Sequence, residues 1–342
     1  MTRIHAQPSR APRLGDLLSE PLRIGEPDVA GPLAVYPVFA PEPRLRYLAF
    51  AQARGEGFRA GELAGGAAIN DLMVENPTRQ AVLLFEGEEV LGAQQNRTFD
   101  VSVLVAAGAK LRVPVSCVEA GRWQHERRHE ALEPAPQAAY PRLRRATARR
   151  VRERVSEGME ARADQGEVWD QVADRSRELG TRSPTAAMAD IYAQSRDRLA
   201  RMREAIRLHD GQAGALVAIG GRFCVLDLVS DPEAFGALHG PLVEGYALDA
   251  LDAEPADVDL DPPDAEIARG LVLLVGDCRP AQRRPGVGLG EELRFAADGF
   301  EGSALVHEGE LICLTAFPTD GDAAATRRQA RAGRVRRPSR RR

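Results

Sequence analysis

The stretch from Ala81 to Val118, AVLLFEGEEVLGAQQNRTFDVSVLVAAGAKLRVPVSCV, decides the fold class. Residues 81–85 are a short apolar run, residues 101–105 alternate, Gly108 turns the chain, and residues 111–118 alternate again. Runs this short, with period two and turn residues between them, predict antiparallel strands. Pro114 inside the last run predicts an edge or a bulge, because proline cannot donate to a ladder. Working outward, residues 33–39 and 73–76 read as further strands, with Asn76-Pro77-Thr78 as a turn.

Downstream the period changes. Val151, Val155 and Met159 recur four apart after Leu143, as one face of a helix does. Residues 168–179 predict a second helix, ended by Gly180. Ser183-Pro184-Thr185 reads as a helix start, followed by the stripe Met188, Ile191, Tyr192, Ser195, Leu199, Met202 and Ile206, which Gly211 closes. Residues 215–219 and 222–229 flank Gly220-Gly221, a two-residue hairpin turn. Asp231-Pro232 starts a helix that Gly240-Pro241 is expected to interrupt before it resumes through Leu251. Residues 271–275 read as a buried strand, and residues 304–307 and 311–317 as a hairpin around Gly309. The expected class is α+β, with a β-rich antiparallel N-terminal lobe, central helices and a mixed α/β C-terminal part. The expected division is a flexible arm (1–31), a β-rich lobe (32–140), a helical segment (141–211), a mixed part (212–320) and a disordered Arg-rich tail (321–342).

Composition fits a soluble globular protein: 342 residues, 44% hydrophobic, 28% charged and 5% aromatic. No apolar run reaches the roughly 18 residues of a membrane span, and the first ten residues lack the apolar core of a secretory signal. Cys117, Cys224, Cys278 and Cys313 form no C-x-x-C pair, so a reducing, cytoplasmic setting without disulfides is expected. The net charge of −4 is uneven: residues 323–342 hold nine Arg and no acid, which leaves −13 on the rest. Such a tail can touch a polyanion.

Four motifs offer chemistry against plainer readings. His125-Glu126-Arg127-Arg128-His129 is a literal H-E-x-x-H, whose histidines hold zinc when they share a helix face. Its cationic surroundings and nearby Pro134 and Pro136 favour a charged surface segment. Asp257-Val-Asp-Leu-Asp261 resembles the start of a calcium loop, but Pro262 and Ala268 stand where Gly and Glu belong, so an acidic linker is favoured. Gly286-Val-Gly-Leu-Gly290 offers backbone amides for a phosphate, but residues 293–295 just after it read as a strand, which makes it a plain turn. Residues 122–154 carry ten Arg against four Glu, a stripe that suits a polyanion or a solvated helix face.

The polar cluster at residues 86–123 carries the most chemistry. Glu88, Glu89, Gln95, Asn96 and Arg97 follow one β run, and Glu119, Arg122 and Trp123 end another. If the strands meet, these groups share one rim. Gln95, Asn96, Arg97, Arg122 and Trp123 would bind a polar ligand there. Glu88, Glu89 or Glu119 would act as acid or base if turnover occurs. The plainer reading is polar side chains capping hairpin turns. Cys117 is a nucleophile only if a neighbour lowers its pKa; otherwise it is a small buried thiol.

The blocks at residues 84–97 and 113–123 resemble a bacterial family named for its genomic company, the ADP-ribosylglycohydrolase and rhodanese-phosphatase associated proteins. Residues 165–169 (QGEVW), 183–185 (SPT), 288–292 (GLGEE) and 304–308 (ALVHE) resemble it as well. The resemblance implies a role near ADP-ribose, NAD or nucleotide-derived metabolites, and brings no catalytic residue with it. Three readings stand: a cytoplasmic protein that binds or processes an ADP-ribose-like or nucleotide-derived metabolite; a non-catalytic partner protein using its Arg-rich helix and tail on protein or nucleic acid; and a zinc hydrolase at residues 125–129. No cofactor, oligomeric state or definite reaction is indicated.

Overall fold

A computed structural model describes residues 12–63, 70–122, 124–127, 129–253, 261–297 and 299–319. Among them are eighteen strands and six α-helices in an α+β arrangement. The strands are β1 (Arg23–Ile24), β2 (Asp28–Ala30), β3 (Leu33–Phe39), β4 (Tyr47–Ala49), β5 (Arg59–Gly61), β6 (Asp71–Glu75), β7 (Ala81–Leu84), β8 (Glu88–Gly92) and β9 (Arg97–Phe99). They continue with β10 (Val103–Val105), β11 (Lys110–Cys117), β12 (Leu132–Ala138), β13 (Gly214–Ile219), β14 (Arg222–Val229), β15 (Gln282–Pro285), β16 (Glu291–Ala297), β17 (Phe300–His307) and β18 (Glu310–Pro318). The helices are α1 (Phe50–Gly55), α2 (Pro141–Ser156), α3 (Gln165–Glu178), α4 (Met188–Ala205), α5 (Pro232–Ala250) and α6 (Ala265–Asp277).

Six strands close into a barrel in the order β11-β6-β5-β12-β8-β9. Pro114 marks where β11 changes partner: residues 110–114 pair with β6 and residues 115–117 with β9. The missing N–H therefore falls at a handover, where a ladder bond is least needed. The barrel interior is packed by Leu72, Val74, Val90, Phe99, Val113 and Val115. A nine-stranded antiparallel sheet runs β1-β3-β13-β14-β18-β17-β16-β15, with β2 also on β3. Strand β3 thus pairs with β13, almost two hundred residues later. Between residues 12 and 31 the chain is tied down: β1 and β2 pair with β3, and the Leu14 amide donates to the Cys278 carbonyl at 3.0 Å.

Two expected hairpins form as read. Gly220 and Gly221 have φ of 55° and 70°, and Glu308 and Gly309 have 51° and 78°, the left-handed pairs that match the twist of adjoining strands. Two other readings need correction. Residues 271–275 are helical, within α6, not a strand. Asp264 caps the helix by accepting from the Glu266 amide at 2.8 Å. Ala268, Leu271, Val272 and Val275 face the sheet while Leu273 and Leu274 are exposed. A five-residue apolar run cannot show its own period, and the cap upstream carried the helical signal. Helix α5 runs unbroken through Gly240-Pro241. Its burial on nearly all sides, by Phe235, Leu238, Leu242, Val243 and Tyr246, outweighs the hydrogen bond that Pro241 cannot make.

Helix α5 lies between the sheet and the barrel, and its apolar residues cluster with Val217 and Val225 of the sheet and with Ala138 of barrel strand β12. At the centre of that junction is Asp227 on β14. It accepts from Arg144 Nη1 and Nη2 at 2.7 Å each, from Tyr246 Oη at 2.6 Å and from Thr315 Oγ1 at 3.0 Å. Arg144 comes from α2 and crosses Gly87, whose φ of 86° and absent Cβ leave room for the guanidinium stem. Removing one partner of such a pair leaves a bare charge in the interior, at about 3–5 kcal/mol. Asp227→Asn should therefore lower stability by about 3–5 kcal/mol in urea denaturation; a loss under about 1 kcal/mol would show that the pair contributes little.

Candidate functional site

The two polar stretches converge. Strands β8 and β9 are joined by residues 93–96, where Ala93 takes a left-handed φ of 45°. The Asn96 Oδ1 accepts from the Gly92 amide at 3.2 Å and from Arg122 Nη2 at 2.9 Å. The Glu119 Oε2 accepts from the Asn96 amide at 3.2 Å and from Arg122 at 2.7 Å, and its Oε1 accepts from Thr185 Oγ1 at 2.8 Å. Gln95 Nε2 donates to the Glu119 carbonyl at 3.2 Å, and Arg122 Nη1 donates to the Ala93 carbonyl at 3.1 Å. These groups close one end of the barrel. They are not an open rim: Gln95, Asn96, Arg97 and Glu119 are all buried. Trp123 lies outside the described residues.

Arg97 and Cys117 stand directly opposite each other on β9 and β11. Strand alternation puts both on the face that also carries Val90, Phe99 and Val115, the barrel interior. Arg97 has no exposed surface, and among the described residues none of its three guanidinium nitrogens has a hydrogen-bond partner. The carboxylate nearest to it is Glu62, just after β5, at 3.6 Å, and both Glu62 oxygens also lack a partner. Burial pulls the Arg97 pKa down, opposed by Cys117 and Glu62; burial pushes the Glu62 carboxyl up, opposed by Arg97. The Cys117 thiol is also pushed up by burial, against the pull of Arg97, the Glu119 backbone and the Trp169 indole.

Glu88 and Glu89 sit apart from this cluster. Glu88 Oε2 accepts from the Phe85 amide at 2.6 Å, closing the turn through Gly87. Glu89 is opposite Thr98, on the other face of the ribbon from Arg97, and Gln137 Nε2 donates to its Oε2 at 2.7 Å. Burial raises both carboxyls to about 8.

Sequence reasoning passed over Glu62, Gln165, Trp169 and Thr185. Gln165 takes the place of a neighbouring strand at the end of β11: its Oε1 accepts from the Cys117 amide at 2.9 Å and its Nε2 donates to the Cys117 carbonyl at 2.8 Å. Gly121 donates to the Thr185 carbonyl at 2.7 Å, and a Cβ there would meet Thr185 at 2.9 Å. Residues 165–169 and 183–185 thus dock on the barrel end formed by residues 93–97 and 117–122. A family model, the ARG and Rhodanese-Phosphatase-superfamily-associated Protein domain, matches residues 21–317. The chain belongs to this family. Comparison with curated proteins and with solved structures returns no match. The matched segment of this associated-protein domain includes the whole barrel and all but the last residue of the nine-stranded sheet.

Among the described residues, the other motifs do not assemble a site. His125–Arg127 is a single 3-10 turn rather than the α-helix that an H-E-x-x-H zinc site needs. Among the described residues, no three His, Cys, Asp or Glu side chains are placed to share a metal ion. The calcium-like stretch falls largely in residues 254–260, outside the described residues. The Gly286–Gly290 loop is a turn closed by Gly286 N to Gly290 O at 3.0 Å; Leu289 N donates to Leu104 O at 2.7 Å, which leaves no phosphate cradle. Most of the α2 arginines are paired: Arg145 and Arg152 with Glu301, Arg149 with Glu167, Arg150 with Glu153. A cavity of about 620 Å³ lies between residues 13–24 and α6, floored by Leu226, Leu311 and Leu314. It shares no residue with the barrel end. No helix of the described residues is long and apolar enough to cross a membrane.

The raised carboxyls set a pH dependence. Glu88 and Glu89 hold their protons in the fold up to about pH 8, whereas the unfolded chain releases them near 4.3. Stability should therefore fall as pH rises from about 4 to about 8 and level off above. Glu89→Gln, neutral at every pH, should flatten that fall and raise stability at pH 8 by at least about 1 kcal/mol, the equivalent of one pKa unit. Equal pH slopes for parent and variant in urea titrations would mean that Glu89 is ionised throughout.

Proposed function

We propose that the chain binds a small anionic metabolite at the closed end of the barrel, and that the metabolite is nucleotide-derived and ADP-ribose-like. One observation carries the reading: Arg97, fully buried, with three guanidinium nitrogens that no described residue satisfies. A buried charge without partners costs several kcal/mol, and native interiors rarely leave one so. An oxyanion would supply the missing acceptors with bidentate geometry. Arg122, Asn96 and Glu119 support it by locking the 93–96 connection and the end of β11 together. The family name is consistent with this metabolite class through genomic association only.

Binding is better supported than turnover. Glu119 has both oxygens engaged, by Thr185 and by Arg122 with the Asn96 amide. Among Glu88, Glu89 and Glu119, only Glu89 has an unpartnered oxygen and a carboxyl raised by burial to about 8, but it lies on the face of the ribbon away from Arg97. The paired arginines of α2 do not favour a nucleic-acid stripe, and the Arg-rich tail lies outside the described residues.

Thermal unfolding tests the reading with ADP-ribose, NAD and mononucleotides as probes. A ligand at about 100 times its Kd should add roughly 2.7 kcal/mol to the parent. Arg97→Met keeps the volume, removes the bare charge, and should melt no lower than the parent without ligand. It should lose the ligand shift. The same shift in parent and variant would remove Arg97 from the site.

A further inference from the structure

We propose that Glu62 is a resident counter-ion that an incoming oxyanion displaces from Arg97, so that binding takes up a proton. This rests on the barrel-end reading and adds to it the ligand group, a fully ionised oxyanion such as a phosphoryl or sulfuryl group, and its control by pH.

The geometry is that of an unfinished ion pair. The Glu62 and Arg97 side chains have opposite charges and are 2% and 0% exposed, yet they stand 3.6 Å apart. The two side chains do not hydrogen-bond to each other, and neither the three Arg97 guanidinium nitrogens nor the two Glu62 oxygens reach a full hydrogen-bond partner; the Gln94 backbone only approaches Glu62. A carboxylate committed to a buried guanidinium normally closes to about 2.7–2.9 Å, often with two parallel bonds. Within the same protein, Arg144 and Asp227 do this at 2.7 Å twice. Glu62 balances the Arg97 charge without occupying its donors. An oxyanion on those donors would bring a second negative charge against Glu62, in a low-dielectric interior where like charges cannot both persist.

The other charged and titratable groups facing the pair are few. Cys117 on β11, with Glu119 and Arg122 just beyond it, act on Arg97, and the Gln94 backbone acts on Glu62. Glu119 and Arg122 are bound to each other at 2.7 Å and largely cancel. Cys117 is a neutral thiol at physiological pH, its pKa raised by burial. Glu62 is therefore the group free to take the proton. On oxyanion binding, one proton passes from solvent to the Glu62 carboxylate, giving the neutral acid, which can donate its O–H to the bound anion. No bond to the anion forms or breaks.

Sulfate and ADP-ribose are suitable probes, because neither changes charge between pH 5 and pH 8. Their Kd values for the full chain are measured by calorimetry across that range at fixed ionic strength. Kd should rise with pH, approaching tenfold per unit where one proton is linked. Glu62→Gln, which has the same shape and no charge to displace, should bind tightly at pH 8 with no slope. Arg97→Met should abolish binding in either background. A slope that persists in Glu62→Gln would overturn the role of Glu62 and leave the binding site standing. So would Glu62→Gln binding more weakly than the parent at pH 8. No binding of either probe to the parent at any pH, or binding unaffected by Arg97→Met, would overturn the site itself. Binding of sulfate without ADP-ribose would restrict the ligand to a free oxyanion.

Discussion

A buried ion pair between α2 and β14 joins the two halves of this fold. Arg144 and Asp227 meet where the barrel, helix α5 and the nine-stranded sheet come together, and each is satisfied on several sides. The Arg144 guanidinium also lies over the Phe85 ring at 5.3 Å, in the turn that leads from β7 into barrel strand β8. Buried ionic pairs of this kind add little net stability over an apolar replacement, but breaking one is costly. Here the pair sets the register of α2 against the sheet. That register holds Gly87, and with it the β7–β8 turn, in place. Two cavities of about 10 Å³ beside Glu86, each large enough for about one water, extend the same polar seam toward Asp100 and Arg294.

Another buried cation is handled in the opposite way. Arg97 lies as deep as Arg144, but no described residue completes its hydrogen bonds. The structure around it is closely determined. Gln165 holds the end of β11, Asn96 holds the β8–β9 connection, and Arg122 with Glu119 fastens the two together. A well-supported scaffold around one unsatisfied charge is the arrangement expected of a binding site, where local stability is given up for recognition. The contrast between the two arginines, rather than any cavity, supports the proposed site. The cavity of about 620 Å³ beside α6 has a mixed lining of leucines and charged residues such as Arg13, Glu20 and Arg269, and touches none of these groups.

Much of the secondary structure was legible in the chain. The alternation at residues 111–118, the glycine pair at 220–221 and the stripe from Met188 to Ile206 each produced the expected element. Local reading failed at two places where the environment outweighed the local signal. The run Leu271–Val275 is short enough to suit either a strand or a buried helix face, and Pro241 sits in a helix whose packing tolerates it. The candidate residues Gln95, Asn96, Arg97, Glu119 and Arg122 were marked by their polarity next to β runs. Glu62 was missed because nothing in its neighbours, Gly61 and Leu63, distinguishes it from a solvated turn residue.

The sequence by itself determined the alternation of strands and helices, the hairpin turns and the family, because period, turn chemistry and motif are properties of neighbouring residues. Only the tertiary structure decided that β3 pairs with β13, that six strands close into a barrel, and that residues 93–97, 117–122, 165–169 and 183–185 meet at one end of it. It also decided which arginine would be satisfied. Arg97 and Arg144 look alike in the sequence, each amid polar neighbours. Burial and partnership depend on groups that approach from tens to nearly two hundred residues away, and short-range patterning carries no record of them.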